Sequence, residues 1–345
     1  MKTTCLLAAF AALGMTAPAA IGQPPEGVRQ VPVPPAGHEV DTSHPDHVVG
    51  RGTPASCTSA AVIAAVRAGG IIRFDCGPAP VTIRMNDTAK VRNTSPRVVL
   101  DGGGLVTLSG QGRHRILYMD TCDRAQVWTT SHCQDQATPE LVLQNISFVG
   151  GNSTGQHFEG GGGGAIFDRG GRLRIVDAVF AGNRCDHYGA DLGGGAVRAL
   201  SQYRDRPVYV VNSRFTENVC SNGAALSSIG VSWTVLNSTF ADNRAIGRGA
   251  NPARSGSPGG GSGGAIYNDG TDYRTLIAGA VMRDNTAREG GGAIFYVADS
   301  GWGTLTLNRS RLHGNPSGQF QTIPGIYDNI DGHDGPPVMI DSTDS

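Results

Sequence analysis

Lysine is almost missing from this chain. Lys2 and Lys90 are the only two in 345 residues, and nearly all other basic positions are arginine. Charged residues make up 17% of the sequence and sum to a net charge of −1, so the basic footprint of a nucleic-acid or anionic-membrane binder is lacking. Long apolar runs are lacking too. Past residue 22 nothing approaches the ~20 consecutive apolar residues of a membrane-spanning helix. No Cys-x-x-Cys spacing occurs, which speaks against a structural zinc site. No nine-residue period occurs either, which excludes a calcium-binding nonapeptide roll.

Glycine is abundant, at 51 residues. Scattered glycine would mean a flexible, low-complexity chain, but here it stands in register with apolar residues. One phrase recurs between residues 160 and 315: Gly163-Gly164-Ala165-Ile166, Gly194-Gly195-Ala196-Val197, Gly223-Ala224-Ala225, Gly263-Gly264-Ala265-Ile266 and Gly291-Gly292-Ala293-Ile294. A second phrase answers each copy, running Phe180 to Asn183, Phe215 to Asn218, Phe240 to Asn243, Met282 to Asn285 and Leu312 to Asn315. Intervals of 28 to 41 residues between copies mark stacked repeats. Between the phrases lie alternating runs rich in β-branched and aromatic residues, such as Val208-Tyr-Val-Val and Trp233-Thr-Val-Leu. That period is a strand's, not a helix's. A bend follows at Asn212-Ser213, Asn237-Ser238 or a similar pair.

Strand, turn, strand, bend, short strand and return loop describe one rung of a parallel β-helix. A single rung buries no core, whereas stacked rungs bury a continuous one. Rungs lie about 4.8 Å apart, so equivalent residues stack, and a repeated inward Asn can pass side-chain hydrogen bonds from rung to rung. The expected fold is therefore all-β: a single-stranded right-handed parallel β-helix with an N-terminal capping helix.

Residues 1–22 read as a signal peptide, with Lys2, an apolar run from Leu6 to Met15, and Ala20-Ile21-Gly22 as the cleavage site. The product is expected to be secreted, periplasmic or on the cell surface, unanchored, and a monomer. Six cysteines then remain, an even number that reads as disulfides in an exported protein. Cys185 and Cys220 each follow a repeat Asn by two residues. They occupy the same place on adjacent rungs, within bridging range. Cys57–Cys76 and Cys122–Cys133 follow by locality.

Residues 23–55 form a Pro-rich leader, expected to be exposed. Thr58 to Ala68 has strong helix formers, a Thr/Ser start and a Gly69-Gly70 stop, and should close the open end of the coil. The β-helix is expected over 56–315, and residues 316–345 as a tail on the last rung.

The helical cap, Asp101-Gly-Gly-Gly-Leu-Val-Thr-Leu108 and the Gly-Gly-Ala-Ile/Phe-x-x-Asn alternation resemble exported right-handed parallel β-helix proteins of the pectate-lyase-like superfamily. The repeat phrases also resemble those of polymorphic outer-membrane protein passengers. The likeness covers roughly residues 56–315. It implies a polysaccharide lyase or glycoside hydrolase acting on an acidic polysaccharide or cell-surface glycan, or an adhesive or structural surface protein that is no enzyme. In lyases of this superfamily the site lies on one outer strand face, where acidic residues hold Ca²⁺ beside a uronate and an Arg or Lys takes the proton.

That face would be the Gly-Gly-Ala-Ile strands, with Phe167, Arg198, Leu226, Tyr267 and Phe295 pointing outward. Arg198 is a basic candidate, but no acidic cluster accompanies it. Asp168 and Asp269 lie nearby on an undetermined side. Ca²⁺ is possible as a cofactor and no other is implied. The catalytic candidates are Arg198 as carboxylate binder or base, Asp186 and Asp191 as acid/base pair or cation ligands, and His187 as assistant. Phe167 and Tyr267 would stack sugar rings. His157 and Glu159 on the preceding loop, and Arg248 and Arg254 on the long Arg244–Ser262 loop, would bind substrate.

Overall fold

The computed structural model describes residues 25–345, except 128, 158–160, 331–332, 335–337 and 345, with only the backbone described at 333–334. The expected signal peptide and Glu159 lie outside the described residues. The chain is a parallel β-helix. One sixteen-stranded sheet wraps two sides, a nine-stranded sheet makes the third, and a three-stranded sheet stiffens the return loops.

The repeat phrases set the register. Ile166, Val197, Leu226, Ile266, Ile294 and Ile326 form one inward column of adjacent parallel strands, each at most 1% exposed. Leu226 thus points inward, and Ser227 takes the outward place expected for it. The third copy aligns as Gly223-Ala224-Ala225-Leu226, because its second glycine is replaced by alanine. The first glycine of the phrase is irreplaceable by geometry: Gly163 has φ +63°, and a Cβ there would run into the carbonyl oxygen of Ile166.

The answering phrase builds two ladders. Phe148, Phe180, Phe215 and Phe240 stack with ring centroids 5.0, 4.8 and 4.9 Å apart, the rung spacing itself. Beside them Asn183, Asn218, Asn243, Asn285 and Asn315 pass side-chain amide hydrogen bonds at 2.9–3.0 Å from one rung to the next. Each Nδ2 in the series also donates to a backbone carbonyl on the preceding rung, as Asn218 does to Phe180 at 3.1 Å. These groups are buried, so every amide hydrogen needs such a partner. The expected bends occur at Asp177, Asn212, Asn237 and Arg309, and an earlier rung adds one at Asn145, all with φ near +50°.

The helix Ser59–Ala68 closes the first rung. Thr58 caps it by accepting from the Ala61 amide at 3.2 Å, and Gly69 ends it at φ +83°. It buries one face through Val62, Ala65 and Val66, and its other face stays open to solvent. All three expected disulfides are present: Cys57–Cys76, Cys122–Cys133 and Cys185–Cys220.

Pairing extends beyond the expected limits at both ends. His47–Gly50, inside the expected leader, pairs with Gly70–Asp75. Ile326–Ile330, Val338–Ile340 and Thr343–Asp344, inside the expected tail, add a further rung. Short apolar tracts in Gly- and Asp-rich surroundings find pairing partners here because a finished strand edge waits beside them. Residues 25–46 are laid down the side of the coil, with Val31 and Val33 packed on it.

Candidate functional site

The outward column of the nine-stranded sheet runs Tyr118, Phe167, Arg198, Ser227, Tyr267, Phe295, Tyr327. Its aromatics stack in two groups. Tyr118 and Phe167 lie 5.4 Å apart, and Tyr267, Phe295 and Tyr327 follow at 4.9 and 5.2 Å. The return loops cover this column. Phe167 and Tyr267 are 0% exposed and Arg198 is 1% exposed. Phe167 lies under the Arg115 guanidinium at 5.1 Å, and Arg115 is held by the carbonyls of Gly162 and Gly163 at 2.7 and 2.9 Å. With both aromatic faces enclosed, neither offers a ring for a sugar to stack on.

Arg198 and Ser227 fill the gap between the aromatic groups. Arg198 donates to Ser227 Oγ at 2.6 Å and to the backbone carbonyl of Asp191, while its Nε has no hydrogen-bond partner. Burial lowers its pKa to about 10, against the opposing pull of Tyr267, Asp191 and Asp269. Among the described residues it makes no ion pair.

One rung further on, Asn251 gathers a polar knot. Its side-chain amide donates to Asp191 Oδ1 at 3.0 Å, Asp269 Oδ2 at 2.8 Å and the Tyr267 hydroxyl at 2.5 Å. The Tyr267 hydroxyl donates to Asp269 at 2.8 Å. Burial raises the Asp269 pKa, partly countered by the hydrogen bonds from Tyr267 and the Gly270 amide. Asp269 therefore faces outward. Asp168 faces inward, fully buried, with Gln202 donating to one carboxylate oxygen at 2.5 Å and the other oxygen unpartnered. Burial pushes its pKa well above the usual carboxylate range.

The other expected residues divide. Asp186 is turned toward the previous rung, accepting from the Gly155 amide at 3.0 Å and lying 3.3 Å from His157 Nε2. Asp186 and Asp191 thus serve different neighbours. His187 is exposed and lies edge-on to the ring of Tyr188, itself 51% exposed. Arg254 pairs with the buried Glu289 at 2.8 Å, and Glu289 also accepts from the Gly249 amide at 2.7 Å. Arg248 holds its loop through a backbone bridge to Gly259 and leaves its side chain exposed. Among the described residues no three His, Cys, Asp or Glu side chains gather closely enough to hold a metal ion.

Asn251, Ser227, Glu289 and Gln202 escaped the sequence reading. Ser227 was legible, had the third copy been aligned on Leu226. An Asn in a Gly/Arg/Ser loop carries no such signal.

Residues 237–269, which hold one complete pair of the two phrases, match the Chlamydia polymorphic membrane protein repeat. No curated protein and no solved structure matches the chain. Among the described residues no helix is long and apolar enough to cross a membrane.

Proposed function

We propose that the chain is a surface or secreted display scaffold: a stiff coil that meets its partner with its loops rather than with a cleft along its strands. The carrying observation is the enclosed outer column, where Phe167, Arg198 and Tyr267 are out of reach of a polymer. The match of one repeat to a polymorphic membrane protein repeat, and three disulfides, support an extracellular setting. The side chains available for contact are on the return loops, His187, Tyr188 and Arg248 among them, and a cell-surface glycan or protein is the partner they suit.

A second reading keeps carbohydrate cleavage, of the pectate-lyase-like kind or by hydrolysis. Its support is the polar knot. Asp191 and Asp269 both bond one amide nitrogen, at 3.0 and 2.8 Å. Their oxygens are thus no more than about 6 Å apart, near the separation of a retaining glycosidase pair. In that reading Arg198 orients the substrate from below once the Arg244–Ser262 loop lifts.

One experiment separates the two. The purified protein is offered a polysaccharide panel with and without Ca²⁺, following unsaturated-uronate absorbance and new reducing ends. The scaffold reading expects neither signal, together with binding to whole cells or glycan surfaces that drops when Tyr188 and Arg248 are both replaced by Ala. Turnover that disappears in Arg198→Ala or Asp269→Asn while the variant stays folded would overturn it.

A further inference from the structure

The segment 25–46 is seated on the coil as a ligand would be. Beneath it runs a second outward column, Val176, Val211, Leu236 and Ala278, on successive parallel strands. A coil would ordinarily turn polar residues outward here. These four are only 1–3% exposed because Val31 and Val33 cover them. They form an apolar cluster outside the main core.

Two side-chain amides of the coil clamp the segment by its backbone. Asn237 accepts from the Val31 amide at 2.9 Å and donates to the Val31 carbonyl at 3.0 Å. Gln144 does the same to Val40, at 2.9 Å in both directions. Arg174 adds a bond to the His38 carbonyl at 2.7 Å. Midway, Gly37 comes so close to Tyr209 and Val211 that an added Cβ would lie 3.2 Å from each. Pro32, Pro34 and Pro35 bring no backbone donors, so the coil's clamps fall on the intervening residues that have them. Bonds to backbone for affinity and small apolar seats for alternate side chains are the means by which grooves bind extended, proline-rich peptides.

The seat is separable from its occupant. None of these bonds uses a strand edge, so the coil's ladders are complete without residues 28–42; the bond from the Asp46 amide to the Ile71 carbonyl, at 2.8 Å on the strand Gly70–Asp75, lies outside them. A hollow of about 280 Å³ remains beside Val31, Pro32 and Pro34, against Leu236, Leu276 and Ala278. The segment fills its groove incompletely.

We propose that this column and its amide clamps are a docking groove for an extended proline-rich segment, filled in this molecule by residues 28–42 of the same chain and open to residues 28–42 of a second copy. The groove is then an exchange site through which copies of the scaffold link side by side, one lending its segment to the next. The exchange conserves every contact, so its equilibrium is governed by concentration and by the strain in the connection at 43–46.

The test uses the full chain and a fluorescent peptide of residues 28–42. In the wild type, hydrogen exchange is followed at the amides of Val31 and Val40. Excess peptide is expected to accelerate exchange at both, and a peptide with Asp at the positions of Val31 and Val33 is expected to leave them unchanged. Full-length V31D/V33D, whose own segment is weakened, should bind the wild-type peptide one to one and at least about tenfold more tightly than the wild type does. Adding Asn237→Ala should cost about tenfold again, for two hydrogen bonds lost. Equal peptide affinity in wild type and V31D/V33D would overturn the proposal, as would a segment in V31D/V33D still protected from exchange. Should V31D/V33D aggregate, the wild-type exchange experiment decides alone: amides indifferent to saturating peptide would sink the idea.

Discussion

Asp168 sits inside the coil, in register with Met119, Ala199, Ser228 and Asn268. Its folded-state pKa is raised, by burial above all, so the folded chain keeps a proton that the unfolded chain has released. Between the two pKa values the folded state binds more protons, and stability falls as pH rises. The stabilising contribution is whole below the unfolded value near 3.9 and is lost on the way up through the raised one. Asp168→Asn, neutral at every pH, should therefore match the wild type at pH 4 and exceed it at pH 8 by about 2 kcal/mol, the usual cost of a buried polar group left unmatched. Denaturant melts at the two pH values check this; a gap that is the same at both would refute it. The sequence named Asp168 but left its side open. Side is a matter of phase within a four-residue strand, and one residue of slip exchanges inside for outside. Leu226 shows the same sensitivity: Gly223-Ala224-Ala225 can be aligned on either alanine, and only pairing with Ile266 decides between them.

Between neighbouring rungs, Cys185–Cys220 ties the return loop at 184–192 to the next turn, with α-carbons 4.8 Å apart. It lies with Leu192 in a small apolar cluster of its own. Replacing both cysteines by Ala should lower stability by about 3 kcal/mol. It should also speed amide exchange in 186–192 while the strands on either side keep theirs. Loss confined to global stability, with the loop still protected, would show that Asn222 and the Gly259 contact hold the loop without the bridge. The pairing was legible because the two cysteines hold the same offset from a repeat Asn. The Arg244–Ser262 loop was legible only as a loop. Its anchoring by Asn251 on one side and by Glu289 on the other joins residues 16 to 60 positions apart. Nothing in their local pattern announces it.

For the molecule as a whole, the open ends of the coil are the exposed liability. The helix Ser59–Ala68 covers the first with Val62 and Val66, at 1% and 0% exposure. Val66→Asp should lift the helix, bare the edge of the first rungs and make the chain aggregate with rising concentration more than the wild type does. Light scattering against concentration reads this directly, and a monomeric, fully soluble variant would show the helix dispensable as a cap. By itself the sequence determined the coil, most of its inward column and the Cys185–Cys220 pair, because each follows from a period or an offset that stacking repeats; the cap and the other two cysteine pairs were legible from local signals, helix start and stop residues and short separations. Only the tertiary structure decided what happens on the outside. There the loops, whose lengths differ from rung to rung, fold over the outer column and enclose Arg198 and Tyr267, and residues 25–46 return along the coil to cover Val176, Val211, Leu236 and Ala278. Those contacts join residues distant in the chain and recur nowhere else in it, so no periodicity records them.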